Sequence, residues 1–567
     1  MEIRLKPSTK ENIIDRIYEN RNVENRDLFE CLDERVIEPS VKYLNLERGI
    51  VAFLDAMSKH KIIMIVVDSD CDGYCSNAIF YKYVTDVLNY GNIVYVLQDD
   101  KRHGFTDKIM ATIHTIRPDM VIMIDAGSCD TEQHRILKDE GIETIIIDHH
   151  DCPSDSDDCI LINNQLTYKT TGEGNPTLSG GGMTIKFLEE IDNIIGKAET
   201  TDFYDLLSVS LVADVMMMNN YETRYYATSG FYNVRNEMIE TILEDAGKSL
   251  SFDSISMCVA PMVNSIIRLG TIDDKKNLFR ALVGDEHICG FCENEDETIY
   301  EKVLSTAKKL RRKQSKLVSE LISKVDLEEK FKDYPIVVYK LETEEHKTLS
   351  GLIATRLADK YNKPCLVMRE LNGRYVGSAR SIPTIPNLKD ALIDTDLLDY
   401  CEGHQSAFGL GFPIEIEKQF LKSVKDTIKE ESKVFVVEKS YEGYVPSSEI
   451  RAVHSMKGMW SKGFEEPTFH IFIKDIYSKF VSVLGKKKDT MKFTNEFVQF
   501  IKFKCNREEL DTILDMDGLF DAHIIGTFNV NEWNGVSSPQ VEIKELEIVN
   551  IRDNDDFIEC GLDEFYF

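Results

Sequence analysis

The side chains with the clearest chemistry are acids and imidazoles in the first half of the chain. Asp68, Asp70 and Asp72 lie in VVDSDCDG, Asp125 in MIDAG, and Asp148, His149 and His150 in IIIDHHD. Carboxylates gathered in one place repel one another unless cations neutralise them, and a mixed carboxylate and imidazole set suits manganese, magnesium, iron or zinc. Two ions about 3.5–4 Å apart, sharing a carboxylate, would serve phosphoester hydrolysis: one activates water and both stabilise charge on the attacking and leaving oxygens. Asp214, in LVADVMMM, is a further acid at the end of an apolar segment. Any one of these acids alone is more often a turn former or a helix cap. Their grouping is what points to a site.

The elements around them read as an open parallel sheet. Residues 62–67, IIMIVV, form a short β-branched run expected of a strand buried on both faces. Residues 76–90 place Ala78, Ile79, Tyr83, Val84 and Val87 at helical spacing, with Gly91 as the terminating glycine. Residues 93–97, 120–124 and 144–147 read as further strands, separated by helix-length segments such as 132–140. Ligands of such sheets bind beyond the carboxyl ends of the strands, so acids that follow three of them converge on one edge.

At 567 residues the chain holds roughly three or four domains. Its 43% hydrophobic and 29% charged residues match a globular protein, no stretch approaches a membrane span, and the start MEIRLKPSTKENIIDR lacks an apolar signal core. A cytoplasmic location is the expectation. The 13 cysteines are odd in number and scattered, which argues for reduced thiols; Cys289 and Cys292 form a CxxC pair near His287 that would need a distant ligand to hold zinc. A formal net charge of −31 opposes phosphate binding over the whole surface, so any nucleic-acid contact must use a local basic track. Lys308, Lys309, Arg311, Arg312, Lys313 and Lys316 form one candidate run, and Lys486, Lys487 and Lys488 another; solvated faces are the plain alternative.

VVDSDCDG, MIDAG, IIDHHD and VADV, in this order and spacing, resemble the four motifs of the DHH phosphoesterases, a family that includes the RecJ exonucleases, family II pyrophosphatases and small-nucleotide phosphodiesterases. The resemblance implies that Asp70, Asp72, Asp125, His149 and Asp214 are metal ligands, with Asp68 a further ligand or close neighbour. It also implies that Asp148 orients an imidazole and that His150 meets the scissile phosphate. Later segments look like RecJ proteins in particular: APMVNSIIRLG with Asn264 and Arg268, HKTLSGLIATRL, GSARS with Ser378 and Arg380, and EGHQSAFG with His404. Ser378, Arg380, His404, Asn264 and Arg268 are thereby candidates to bind substrate phosphate, Arg380 from a turn. Glu402, Ala379 and Met262 depart from the family's pattern, as does HGFT at 103–106 where a Gly-Tyr-Gly loop is common.

The expected architecture is α/β: an N-terminal extension (1–45), a parallel-sheet DHH domain (46–235), a helical connector (236–330) with a long charged helix over 296–325, a second α/β DHH-associated domain (331–432), and an all-β oligonucleotide-binding-like barrel with an acidic tail (433–567). In that barrel Phe472, Phe480, Phe493 and Trp533 are either stacking surfaces or core. The resemblance implies a 5′ to 3′ single-stranded DNA exonuclease that releases mononucleotides with two Mn2+ or Mg2+ ions, in DNA repair, recombination or replication. Single-stranded DNA is then the partner, single-strand-binding or replication proteins are admissible further partners, and no membrane is involved. A phosphodiesterase of short oligonucleotides or cyclic dinucleotides is the nearest alternative, and a DHH-derived replication scaffold the non-enzyme one.

Overall fold

A computed structural model describes the chain except for residues 99–102, 286–297, 326–333, 342–343, 383, 386, 429–433, 506 and 554–567. Cys289, Cys292 and His287 therefore lie outside the described residues. The chain divides into two compact units, Cys31–Glu431 and a second made of Met1–Glu30 with Ser432–Phe567.

The larger unit opens with five parallel strands, β1 (Ile63–Val67), β2 (Ile93–Leu97), β3 (Met120–Ile124), β4 (Glu143–Asp148) and β5 (Ile160–Asn163), in the spatial order β2-β1-β3-β4-β5. Parallel pairing demands a crossover for every strand, and the crossovers cover both faces. Hence β1 is apolar throughout: Ile63, Ile65 and Val67 join one core layer, Met64 and Val66 the other. The strand order reverses between β1 and β3, the place where open sheets of this order leave a crevice at their carboxyl ends.

The helix after β1 differs from its expected span. It begins at Cys71, because the Asp70 carboxylate accepts a hydrogen bond from the Gly73 amide at 3.0 Å and caps it. This α1 (Cys71–Lys82) therefore carries Asp72 in its first turn. It continues through a wide turn at Tyr83–Val87, and Asn89 (φ +51°), rather than Gly91, takes the left-handed position after it.

The connecting helix expected over 296–325 is Ile299–Lys324, capped by a reciprocal Thr298 and Glu301 pair. Beyond it a mixed sheet holds β6 (Val337–Lys340), β7 (Cys365–Leu371), β8 (Arg374–Arg380), β9 (Tyr400–His404) and β10 (Ala407–Pro413) in the order β9-β10-β8-β7-β6. GSARS is not the expected turn, since Gly377 to Arg380 lie within β8. A Cβ on Gly377 would stand 2.1 Å from the Val367 carbonyl oxygen, so glycine is what lets β8 approach β7.

In the smaller unit seven strands form one sheet, in which Phe469–Tyr477, Gly518–Trp533 and Val536–Asp553 are neighbours. Phe493 stacks on Phe500 in the core, Phe472 lies over His523, and Phe480 is 74% exposed; the Trp533 side chain lies outside the described residues. The N-terminal residues, uninformative as sequence, are part of this unit. Glu2–Leu5 pairs in parallel with Val434–Val437, and the fully buried Glu438 carboxylate accepts from Lys6 Nζ at 2.9 Å, Asn20 Nδ2 at 2.6 Å and Arg21 Nη1 at 2.7 Å. Breaking a buried ion pair costs about 3–5 kcal/mol because the remaining charge stays desolvated. Arg21→Ala should therefore lower the stability of this unit by that order. Chemical denaturation followed by fluorescence of Trp460, whose ring lies 6.0 Å from the Arg21 guanidinium, measures it; a loss below about 1 kcal/mol would mean that Glu438 has other compensation.

Candidate active site

The acids singled out in the sequence meet at the crevice between β1 and β3. Asp125 follows β3 with φ +70°, a left-handed backbone that costs a non-glycine residue energy. The next turn is pinned by His134 Nε2, which donates to the Gly127 carbonyl at 2.9 Å. Asp125 Oδ1 lies 3.1 Å from His149 Nε2, and Asp214 Oδ2 lies 3.4 Å from the same nitrogen. Asp72 Oδ2 is 3.9 Å away.

Asp72 is held by features that the sequence reading passed over. The helix α2 (Gly180–Ile195) points its N-terminus at Asp72, whose oxygens accept from the Gly180 amide at 2.8 Å and the Gly181 amide at 3.1 Å; Ser210 Oγ donates to the same carboxylate. A Cβ on Gly180 would stand 2.5 Å from Asp125 Oδ1, and one on Gly181 2.2 Å from Ser210 Oγ. The signal was legible: SGGG before an apolar helix is a carboxylate or phosphate cradle. Asn163, at the end of β5, also went unnoticed; its Nδ2 donates to the His150 carbonyl at 2.8 Å and to Ser128 Oγ at 2.9 Å, fixing the DHH turn.

Two imidazoles each rest on a buried aspartate. His150 Nδ1 pairs with Asp148 Oδ1 at 2.8 Å, and that oxygen also accepts from the His149 amide at 2.7 Å. His103, outside the motif residues, pairs through Nδ1 with Asp68 Oδ2 at 2.5 Å. Both imidazoles are about half exposed, at 51% and 50%, so each offers its other face to solvent.

The electrostatics are those of a site short of positive charge. Burial first, then repulsion from Asp70, pushes Asp72 up to about 6, against its hydrogen bonds from Ser210, Gly181 and Gly180. Burial and the neighbouring aspartates raise Asp125 and Asp214 well above the usual carboxylate range. Burial also raises Asp68, although His103 opposes it. By contrast burial of Asp148 is overcome by His150, His149 and Ser128, which hold it far below that range. The Asp68 carboxylate brings His103 to about 9; burial lowers His150, but Asp148 with Asp214 and Asp68 outweighs it and takes the group to about 10. Asp68 Oδ1, Asp125 Oδ1 and Asp214 Oδ2 are buried and accept no hydrogen bond. Buried carboxylate oxygens left in that state fit hard or borderline divalent cations. Donor atoms of Asp72, His149 and Asp214 lie within 4.8 Å of one another, as do those of Asp68, Asp70 and His103.

A family model described as "DHH family, N-terminal domain" matches residues 62–213. The SPbeta prophage-derived protein YorK of Bacillus subtilis is 30% identical over 94% of this chain and 96% of its own length. The chain belongs to the DHH family, among its RecJ-like members. The single-stranded-DNA-specific exonuclease RecJ of Bacillus subtilis is 24% identical over 87% of this chain and 62% of that protein. The crystal structure of Thermus thermophilus RecJ in complex with Mn2+ shares the fold, with a TM-score of 0.76 at 18% identity over 95% of this chain and 76% of that one.

The DHH cluster borders the residues expected to bind phosphate. Arg268, on the helix Ala260–Leu269, is desolvated, which lowers its pKa, while Asp70 beside it acts in the opposite sense. Arg380 is lowered by burial and by the positive charge of Arg268, so the two guanidiniums are neighbours. Ser378, two residues earlier on β8, hydrogen-bonds Ser350 at 2.9 Å. Asn264 is half-buried on the same helix as Arg268. Arg380 pairs with Ala407 and Ala407 with His404, which places the His404 backbone in the same row; its side chain lies outside the described residues.

The raised carboxyls carry a sign for stability. A carboxyl whose folded pKa exceeds the unfolded value of about 3.9 stabilises the fold while protonated; that contribution is complete below the unfolded value and vanishes as pH rises through the folded one. His103 and His150, also raised, add in the same direction between their unfolded value of about 6.5 and their folded ones. With a chelator present the melting temperature should therefore rise as the pH falls from about 7.5 towards 5.5. Asp125→Asn should flatten that rise, and equal slopes for the two proteins would place the pH dependence elsewhere.

Proposed function

We propose that the protein is a metal-dependent exonuclease that degrades single-stranded DNA from the 5′ end and releases mononucleotides, using two divalent cations, manganese or magnesium. The observation that carries this reading is the convergence of Asp72, Asp125, His149 and Asp214 around buried carboxylate oxygens that accept no hydrogen bond. Relatives named as single-stranded-DNA-specific exonucleases, and a Thermus thermophilus RecJ crystallised with Mn2+ or with Mg2+, support it.

Bound cations would supply Lewis acidity, lowering the pKa of water and offsetting charge on the attacking and leaving oxygens. Asp125, which lies 3.1 Å from His149, would be the carboxylate shared by both ions, with Asp72, His149 and Asp214 as ligands of one and Asp70 of the other. Asp148 fixes His150 through Nδ1, and the half-exposed ring would donate a hydrogen bond or a proton from Nε2 to the scissile phosphate. Arg268 and Arg380 would offer two forks to phosphate oxygens, with Ser378 and Asn264 as further donors and His404 carried over from its motif alone. The β-rich unit is assigned to hold the strand as an oligonucleotide-binding barrel, through Lys486, Lys487, Lys488 and the exposed Phe480.

The deciding experiment incubates the protein and Mn2+ with end-labelled single and double strands of DNA and RNA. The reading expects mononucleotides from the 5′ end of single-stranded DNA; cleavage of cyclic dinucleotides alone would support the phosphodiesterase alternative. Asp125→Ala and His149→Ala should abolish cleavage while leaving the fold intact, and near-wild-type turnover by either would exclude the metal assignment.

Arg380 gives a graded test. Loss of a charged hydrogen bond costs roughly 1.5–3 kcal/mol, so Arg380→Ala should lower specific activity about ten- to a hundredfold, with Arg380→Lys between. Removing the 5′ phosphate should slow the wild type and barely affect the alanine variant. Unchanged activity with a lower melting temperature would make Arg380 a structural residue.

A further inference from the structure

We infer, resting on the two-cation reading above, that His103 is a metal ligand in this chain and completes, with Asp68 and Asp70, the cation position opposite that of Asp72, His149 and Asp214. The two donor sets share no residue, and within each the donor atoms lie inside 4.8 Å. Donors around one ion at about 2.0–2.2 Å are at most about 4.4 Å apart, so little movement separates either set from a coordination shell.

Two observations favour a ligand over a plain ion pair. Asp68 is fully buried, and its Oδ1 accepts no hydrogen bond, so one oxygen is uncommitted while the other meets His103. His103 reaches the site from the segment after β2, the strand beside β1, and its Nδ1 stands at the carboxylate where a cation would lie. A metal would take the place of the hydrogen bond between Nδ1 and Oδ2, since imidazole and carboxylate bind metal in their deprotonated forms. Without His103 this position would be built from carboxylates alone.

An oxygen-only position suits magnesium, whereas an added imidazole shifts preference towards manganese, cobalt or zinc. With His103 each of the two positions carries one imidazole. The chain should accordingly favour Mn2+ over Mg2+ at both, and His103 sets that preference at one of them.

The test is calorimetric titration of the metal-free full chain with MnCl2, repeated in the presence of MgCl2. The wild type should bind two Mn2+ ions. His103→Ala should weaken one site at least about tenfold and leave the other unchanged, and His103→Asp should restore binding at that site with a narrower preference for Mn2+ over Mg2+. Two sites of unaltered affinity in His103→Ala, with a melting temperature like the wild type, would overturn the inference and leave His103 as a partner of Asp68 only. A wild type that binds fewer than two Mn2+ ions would instead bring down the two-cation reading, a failure visible before any variant is made.

Discussion

The burial of several carboxylates within reach of one another is the constraint around which the larger unit is arranged. A single buried carboxylate is usually neutralised or paired, because desolvation outweighs whatever packing it permits. Here Asp68, Asp72 and Asp125 are almost inaccessible to solvent, and neighbouring aspartates raise the cost of ionising each. The parallel sheet makes the grouping possible. Its strand order turns at β1 and β3, so the chain leaves both strands on the same edge but in opposite directions, and no crossover fills the gap between them. The apolar strands supply the stability against which the acidic edge is held.

Holding the edge requires backbone that local preference would not choose. Asp125 at φ +70° and Val215 at φ +59°, directly after Asp214, are non-glycine residues in the left-handed region, which aspartate tolerates better than most and a β-branched valine avoids. Such positions cost on the order of 1–3 kcal/mol each and persist where their surroundings over-determine them. At Asp125 the surroundings are visible: Gly180 leaves room for its carboxylate, and His134 grips the turn through Gly127. The same glycine run that leaves room also binds Asp72 through two amides. A single helix N-terminus thus serves two aspartates, one by hydrogen bonds and one by the absence of a side chain.

How far the sequence reveals this depends on the range of the interactions. The strands at 93–97 and 120–124 match the structure residue for residue, because parallel strands covered by crossovers leave continuous apolar runs, fully buried at 120–124 and partly so at the edge strand 93–97. The motif acids group as expected, since strand ends of one sheet must share an edge. What escapes is set by distance along the chain. The start of α1 depends on whether Asp70 caps a helix or ends a strand, and only the Gly73 amide decides it. GSARS has the composition of a turn but sits where β8 must approach β7, so glycine there relieves a clash instead of bending the chain. His103 follows no apolar period and gains significance only from Asp68. The N-terminal residues are opaque for the same reason, since Arg21 and Lys6 acquire their role from Glu438, more than 400 residues away.

The acid excess of the chain and its proposed substrate are reconciled by the same electrostatic logic that explains the carboxylates. A net charge of −31 repels a polyanion at long range, so affinity must come from positive charge placed where solvent and salt screen it least. On the proposed reading Arg268 and Arg380 are such charges. Both are desolvated, each raises the cost of the other, and Asp70 lies near enough to Arg268 to offset part of that cost. Guanidiniums keep their proton under these conditions when ammonium groups would not, which is a physical reason for arginine over lysine here. Two adjacent desolvated cations are as incomplete as a cluster of buried carboxylates, and an anion between them removes the repulsion. On the proposed reading, bound cations and a substrate phosphate would each offset charge that the protein leaves uncompensated, so occupancy by metal and by substrate would favour each other and a strongly acidic protein could hold DNA at one place.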